Sequence, residues 1–359
     1  MHRICFAPLA LALSLTLVAC GQPASQTGST TDEAAQEQPA DSSLNATDAA
    51  PAAPEQSAVS ENGSSAAAQS VANPLGTVAN TIADDEDALV ATYADRFAQE
   101  TFEDADTGLA VTYNLFLPAD YDASRSYPMV VFIADSSCAK SDPTQSLTQG
   151  LGALVWATDE WQSANPTIVC VPTYPETILD DHSGYTTTEY VELTKRLIDS
   201  VTSTYAVDAS RIYGTGQSMG CMTHLILASE YPDLYAACMF VDGQWDISTL
   251  AGLEGQSFVY FAAEDDERAS QGLSQVRALF DADGAPYATA RWDGAWGPDE
   301  LSTAAGELFG QDQSANFVTW ATGTIDAGSG GGMGNASYHM ASFDYAYRCI
   351  AAMEWLFQQ

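Results

Sequence analysis

The sequence is poor in positive charge. Lysine and arginine together number 11 against 48 aspartates and glutamates, and the formal net charge is −37 at pH 7. No lysine or arginine occurs between Arg3 and Arg96. A chain this acidic cannot neutralise a phosphate backbone, so nucleic acid is excluded as a partner and polyanionic substrates are disfavoured. Metal-binding frames are missing too. There is no Cys-x-x-Cys pair and no Cys/His cluster, so neither a metal nor a cofactor is expected. Membrane-spanning runs are also missing. The N-terminal apolar run, Leu9 to Val18, is too short to cross a bilayer.

What that run does have is the form of a secretory signal. His2 and Arg3 precede it, and it ends in Leu17-Val18-Ala19-Cys20-Gly21. The small residues before Cys20 resemble a bacterial lipoprotein signal. Residues 1–19 would then be removed, and Cys20 would be lipidated as the first mature residue. The lipid chains would be the only membrane contact, holding the protein to an extracytoplasmic face of the cell envelope. Residues 20–87 are rich in Ala, Ser, Thr, Gln, Asp, Glu and Pro and nearly free of aromatics. They bury too little apolar surface to offset ordering entropy and read as a disordered tether, with short helical pieces near Asp84 to Thr92. Cys138, Cys170, Cys221, Cys238 and Cys349 remain, an odd number, so at least one is unpaired unless it bonds between chains. Cys170 and Cys238 lie in apolar, strand-like runs and read as buried thiols.

From residue 88 to 359 the composition is that of one globular domain. Phe97 to Phe102 and Ala110 to Leu117 alternate apolar and polar residues, with a turn at Thr107-Gly108. Met129 to Ala134 and Thr167 to Val171 are continuous apolar runs, as central parallel strands require. Leu151 to Trp161 reads as a helix, and Glu189 to Tyr205 carries Tyr190, Leu193, Leu197, Ile198 and Val201 on one stripe. Ala236 to Val241, Ser257 to Ala262 and Tyr287 to Trp292 are further strands, the last of these closing the series. Gln271 to Asp281 and Phe343 to Phe357 read as helices, and the glycine-rich stretch 327–334 as a loop. Strands alternating with helices predict an α/β fold with a mostly parallel sheet covered on both faces.

The chemistry centres on Gly216-Gln217-Ser218-Met219-Gly220. It follows a short apolar strand at Arg211 to Tyr213 and opens a helical pattern to Leu227. Strand, tight turn and helix are the setting of a nucleophile elbow. A serine hydroxyl is a weak nucleophile and needs a base, usually histidine. His224 lies six residues beyond Ser218 on the same helix, turned to its far side. His182 precedes the nucleophile in a loop. His339 follows it, in the nucleophile–acid–base order of hydrolases with this elbow. The acid is expected after a late core strand. Glu264-Asp265-Asp266-Glu267 follows the strand at Ser257, with Asp266 the first choice and Asp265 the alternative. Asp242 and Asp293 are less favoured.

With these residues placed, the globular part resembles secreted α/β-hydrolases of the esterase and polyhydroxybutyrate-depolymerase-like group, relatives of feruloyl and acetyl esterases. The resemblance rests on Thr112 to Pro118, Tyr127 to Phe132, Pro166 to Pro172, Gly216 to Met222, Tyr338-His339-Met340 and the terminal Trp355 to Gln358. It implies the α/β-hydrolase fold, and its Gly-x-x-Asp spacing supports Asp266 through Ala263. The group typically carries His-Gly-x-Gly after the strand at Met129. Here the chain reads Ala134-Asp135-Ser136-Ser137, so the second oxyanion donor is expected to be the backbone amide of Ser136, beside that of Met219. The implied function is a lipid-anchored serine carboxylesterase acting on a small-molecule or polysaccharide-linked ester. A peptidase on the same scaffold is an alternative. So is a catalytically weak binding lipoprotein, with Trp245, Trp292 and Trp296 available to stack on sugars.

Overall fold

The structure, a computed structural model, describes Val78, residues 85–140, 142–328 and 335–359. The expected signal, Cys20, most of the tether and part of the glycine-rich loop lie outside the described residues. The strands are β1 (Ala98–Glu103), β2 (Ala110–Phe116), β3 (Tyr127–Ile133), β4 (Ile168–Thr173), β5 (Leu179–Asp180), β6 (Thr186–Thr187), β7 (Val207–Gln217), β8 (Ala237–Val241), β9 (Phe258–Ala263), β10 (Ala288–Trp292) and β11 (Ala315–Trp320). The helices are α1 (Glu86–Tyr93), α2 (Gln145–Thr148), α3 (Asp159–Ala164), α4 (Glu189–Thr204), α5 (Met219–Glu230), α6 (Glu267–Asp283), α7 (Pro298–Phe309), α8 (Asn335–Tyr347) and α9 (Ile350–Leu356).

Nine strands form one sheet in the order β1-β2-β4-β3-β7-β8-β9-β11-β10, and β5 pairs with β6 in a separate small hairpin. β2 pairs antiparallel with β1 and β4. Every other pair in the large sheet is parallel. This is the α/β-hydrolase arrangement. The two-residue period of the strands separates two cores. Val130 and Phe132 of β3 pack on one face with Trp161, Leu308, Tyr347 and Met353. Met129, Val131 and Ile133 pack on the other with Leu197, Leu225 and Leu273. Each fully buried side chain of this size contributes roughly 1.5–3 kcal/mol of transfer free energy.

Several elements differ from the sequence reading. β11 was not expected: it follows β10 in the chain but lies between β9 and β10 in the sheet, so the strand at Tyr287 is an edge strand without being the last in the chain. Its run Ala315 to Trp320 mixes Asn and Thr with apolar residues, and Asn316 is fully buried. α7 was also missed. Leu151 to Trp161 is a short 3-10 turn, Leu154–Ala157, and then α3 begins at Asp159 with Thr158 as its N-cap. The terminal helix is two helices, broken at Arg348 and Cys349. α1, by contrast, lies where short helical pieces were expected near Asp84 to Thr92, and its Ala88 N–H donates to Asp85 Oδ1 at 3.1 Å. Further back, buried Val78 donates its backbone N–H to Glu354 Oε1 at 2.7 Å. α1 is as acidic and alanine-rich as the residues before it, so composition does not mark where packing begins. Among the described residues, no helix is long and apolar enough to cross a membrane.

Candidate active site

β7 ends at Gln217 and α5 starts at Met219, so Ser218 alone makes the turn. Its φ is +51° and ψ −114°, a conformation non-glycine residues rarely adopt. Such a dihedral costs on the order of 1–3 kcal/mol and persists only where the surroundings enforce it. Here they do. The Ser218 amide donates to Val241 O at 3.1 Å. A Cβ on Gly220 would stand 1.8 Å from Ile133 O, and one on Gly216 would stand 2.6 Å from the same atom. Both elbow glycines are therefore required by the close approach of β3, which pairs with β7 at Ile133 and Gly216.

His339 on α8 reaches this turn. Its Nε2 lies 2.9 Å from Ser218 Oγ, and its Nδ1 lies 2.5 Å from Asp266 Oδ2. Asp266 is the N-cap of α6. Its Oδ1 accepts from the amides of Arg268 and Ala269, each at 3.2 Å, which fixes the carboxylate while Oδ2 faces the imidazole. Burial pulls the pKa of His339 down. The hydrogen bond and charge of Asp266, with the charges of Asp242 and Asp135, outweigh it and hold the value above that of an ordinary histidine.

The other acids of the run are used elsewhere. Glu264 pairs with Arg291 at 2.6 and 2.8 Å, and that pairing lowers its pKa to about 2. Asp265 accepts from the Gly323 amide at 2.6 Å. Glu267 lies in the first turn of α6. His224 is fully buried, its Nδ1 2.9 Å from Tyr235 Oη, and burial lowers its pKa to about 3. It is a neutral packing residue. His182 lies at the cleft rim, its ring beside the guanidinium of Arg268.

The Ser218 hydroxyl opens on a cleft of about 630 Å³, whose lining includes Ser136, Met219, Met222 and Met340. Met219 and Ser136 are each the first residue of a helical turn, α5 and the 3-10 turn Ser136–Cys138. First-turn amides have no partner within their own helix. Asp135 caps the second turn, its Oδ1 accepting from Ser137 N–H at 2.6 Å. Its Oδ2 is buried with no hydrogen-bond partner among the described residues. An acid thus stands next to the amide expected to donate.

The sequence reading missed one wall. The β5–β6 hairpin brings Asp181 against Arg268 Nη2 at 2.7 Å and against Gln244. Its tip residue Tyr185 meets the Trp245 ring edge-on at 5.3 Å. The only sequence signal was the polar loop around His182. None of Trp245, Trp292 and Trp296 lines the cleft: Trp245 and Trp292 are buried and Trp296 stands outside it.

The fold is that of an α/β-hydrolase, with Ser218, His339 and Asp266 brought together at the elbow. Residues 105–322 match the family described as "Putative esterase", and the chain belongs to that family. Over 77 residues it is 34% identical to feruloyl esterase B of Talaromyces funiculosus, a match spanning 21% of each chain. The fold is similar to a crystal structure of a thermostable esterase, with a TM-score of 0.58 at 23% identity, covering 74% of this chain and 64% of that one. It is also similar to the feruloyl esterase module from Clostridium thermocellum complexed with sinapinate. There the TM-score is 0.50 at 14% identity, covering 74% and 88%.

Proposed function

We propose that the protein is a serine carboxylesterase, lipid-anchored through Cys20 at the cell envelope. The observation that carries this reading is the unbroken line from Ser218 Oγ through His339 to Asp266. Ser218 attacks the ester carbonyl, and His339 Nε2 takes its proton. The imidazolium so formed is stabilised by Asp266, which also holds the ring in the tautomer that leaves Nε2 free. The amides of Met219 and Ser136 donate to the tetrahedral oxyanion. The proton then passes from His339 to the leaving alcohol, and water repeats the sequence on the acyl-enzyme. A cleft of about 630 Å³ suits a drug-sized ester, free or linked to a polysaccharide.

One observation favours the second reading, a catalytically weak binding protein. Asp135 lines the cleft with Ser136, its carboxylate bound to the Ser137 amide, and negative charge there opposes an oxyanion. Hydrolysis of a short-chain nitrophenyl ester by the purified protein separates the two. Turnover lost in Ser218→Ala supports the esterase. No turnover of any ester or peptide by the wild type supports binding alone.

A further inference from the structure

Outside the Ser218–His339–Asp266 line, Asp242 is the residue hardest to account for. It follows β8, which lies between the elbow strand β7 and the acid strand β9. Three of its features cost free energy. It is fully buried, with 0% exposure. Its φ is +43°, in the left-handed region, which glycine adopts freely and asparagine and aspartate at a modest cost. Its Oδ1 accepts from Ala263 N–H at 2.8 Å, but Oδ2 has no hydrogen-bond partner among the described residues. The Ser342 hydroxyl is near enough to favour the carboxylate, yet its proton goes to the His339 carbonyl at 2.9 Å. An asparagine would keep the bond to Ala263, tolerate the dihedral and bury no charge. Folding alone gives no reason for an acid. Strain and buried charge of this kind collect where they serve a site.

Titratable groups face Asp242 from each neighbouring element. They are Asp266 at the head of α6, His339 and Tyr347 on α8, Cys221 on α5 and Tyr260 on β9. Only His339 among them becomes a cation in the working pH range, and Asp135 acts on it from the β3 side.

We propose that Asp242 is a second carboxylate behind the triad, a positioning residue whose charge strengthens His339 as a base without touching substrate. The inference rests on the serine-esterase reading. Burial, and then the charge of Asp266, push the Asp242 carboxyl up to about 7. Above that pH it is anionic and adds to the stabilisation of the imidazolium formed when Ser218 attacks. Below it, the carboxyl is neutral and the contribution is lost. The proton still moves only from Ser218 Oγ to His339 Nε2 and on to the leaving group.

The test follows the His339 ring by NMR titration in the full chain carrying Ser218→Ala, with and without Asp242→Asn. No turnover is needed. The His339 pKa should fall by about half a unit or more on removal of the charge. In the active enzyme, Asp242→Asn should move the upper part of the acid limb of kcat/KM to lower pH. At the foot of that limb, where the Asp242 carboxyl is itself neutral, wild type and variant should converge, while above about pH 7 the variant should show a lower plateau kcat with an unchanged KM. Asp242→Gly, which suits the dihedral, should give the same shift should the asparagine variant misfold. A His339 pKa unmoved in both variants overturns the proposal. An inactive wild type overturns the esterase reading and leaves the titration result standing.

Discussion

Asp266→Asn isolates the acid's chemistry from its structural work. Asp266 has two tasks on two atoms. Oδ1 caps α6 through the Arg268 and Ala269 amides at 3.2 Å, and Oδ2 meets His339 Nδ1 at 2.5 Å. Asparagine keeps an oxygen for the cap and places an NH₂ opposite the imidazole. Nδ1 must then become the acceptor, which moves the ring proton to Nε2, where it blocks transfer from Ser218. The wrong tautomer costs roughly 10⁴ in kcat in a comparable triad, about 5 kcal/mol of barrier. The fold should stay within a few tenths of a kcal/mol of wild type because the cap survives. Asp266→Ala should lose the same activity and also about 1 kcal/mol of stability with the cap. Asp265→Asn should be mild, since among the described residues its carboxylate accepts only from the exposed-loop amide of Gly323. Ester hydrolysis and thermal unfolding, measured together on the three variants, check each part. An Asp266→Asn enzyme within tenfold of wild type, or one less active in Asp265→Asn, would refute the assignment.

Ser136→Ala should be nearly silent, whereas Ser136→Pro removes the amide and should cost about 10²–10³ in kcat; equal losses in steady-state rate would make the hydroxyl the donor. Because Asp266 holds the His339 pKa above its usual value, kcat/KM should fall as pH drops through a point above roughly 6.5. By linkage, this histidine's contribution to stability is complete below its unfolded pKa and is lost as pH rises through the folded value, which denaturant melts across that window will read. Cys20→Ser should shift the protein from membrane to soluble fractions, and persistence in salt-washed membranes would count against lipidation.

The elbow was legible because its constraints are local. Gly216 and Gly220 mark the approach of β3, and the apolar run of β7 leads into the helical spacing of α5. His339 followed by elimination in a chain with few histidines, and Asp266 by its place after β9. The cleft's far wall was not legible. The β5–β6 hairpin is only two residues per strand and carries no apolar period, so nothing short of the fold places Asp181 on Arg268. β11 was missed because Asn316 and Thr319 break its apolar run, although Asn316 is buried against Phe258 O at 3.4 Å. The cost at Asp242 could not be seen either, since burial and a left-handed dihedral are properties of the folded chain.

The esterase proposal requires Ser218 to be the reacting group. An organophosphonate serine probe, applied to wild type and Ser218→Ala and mapped by peptide mass spectrometry, tests it directly. One adduct is expected on the wild type, on the peptide containing Ser218, and none on the variant, with ester turnover lost in parallel. An adduct on a different serine, together with turnover that survives in Ser218→Ala, would contradict it.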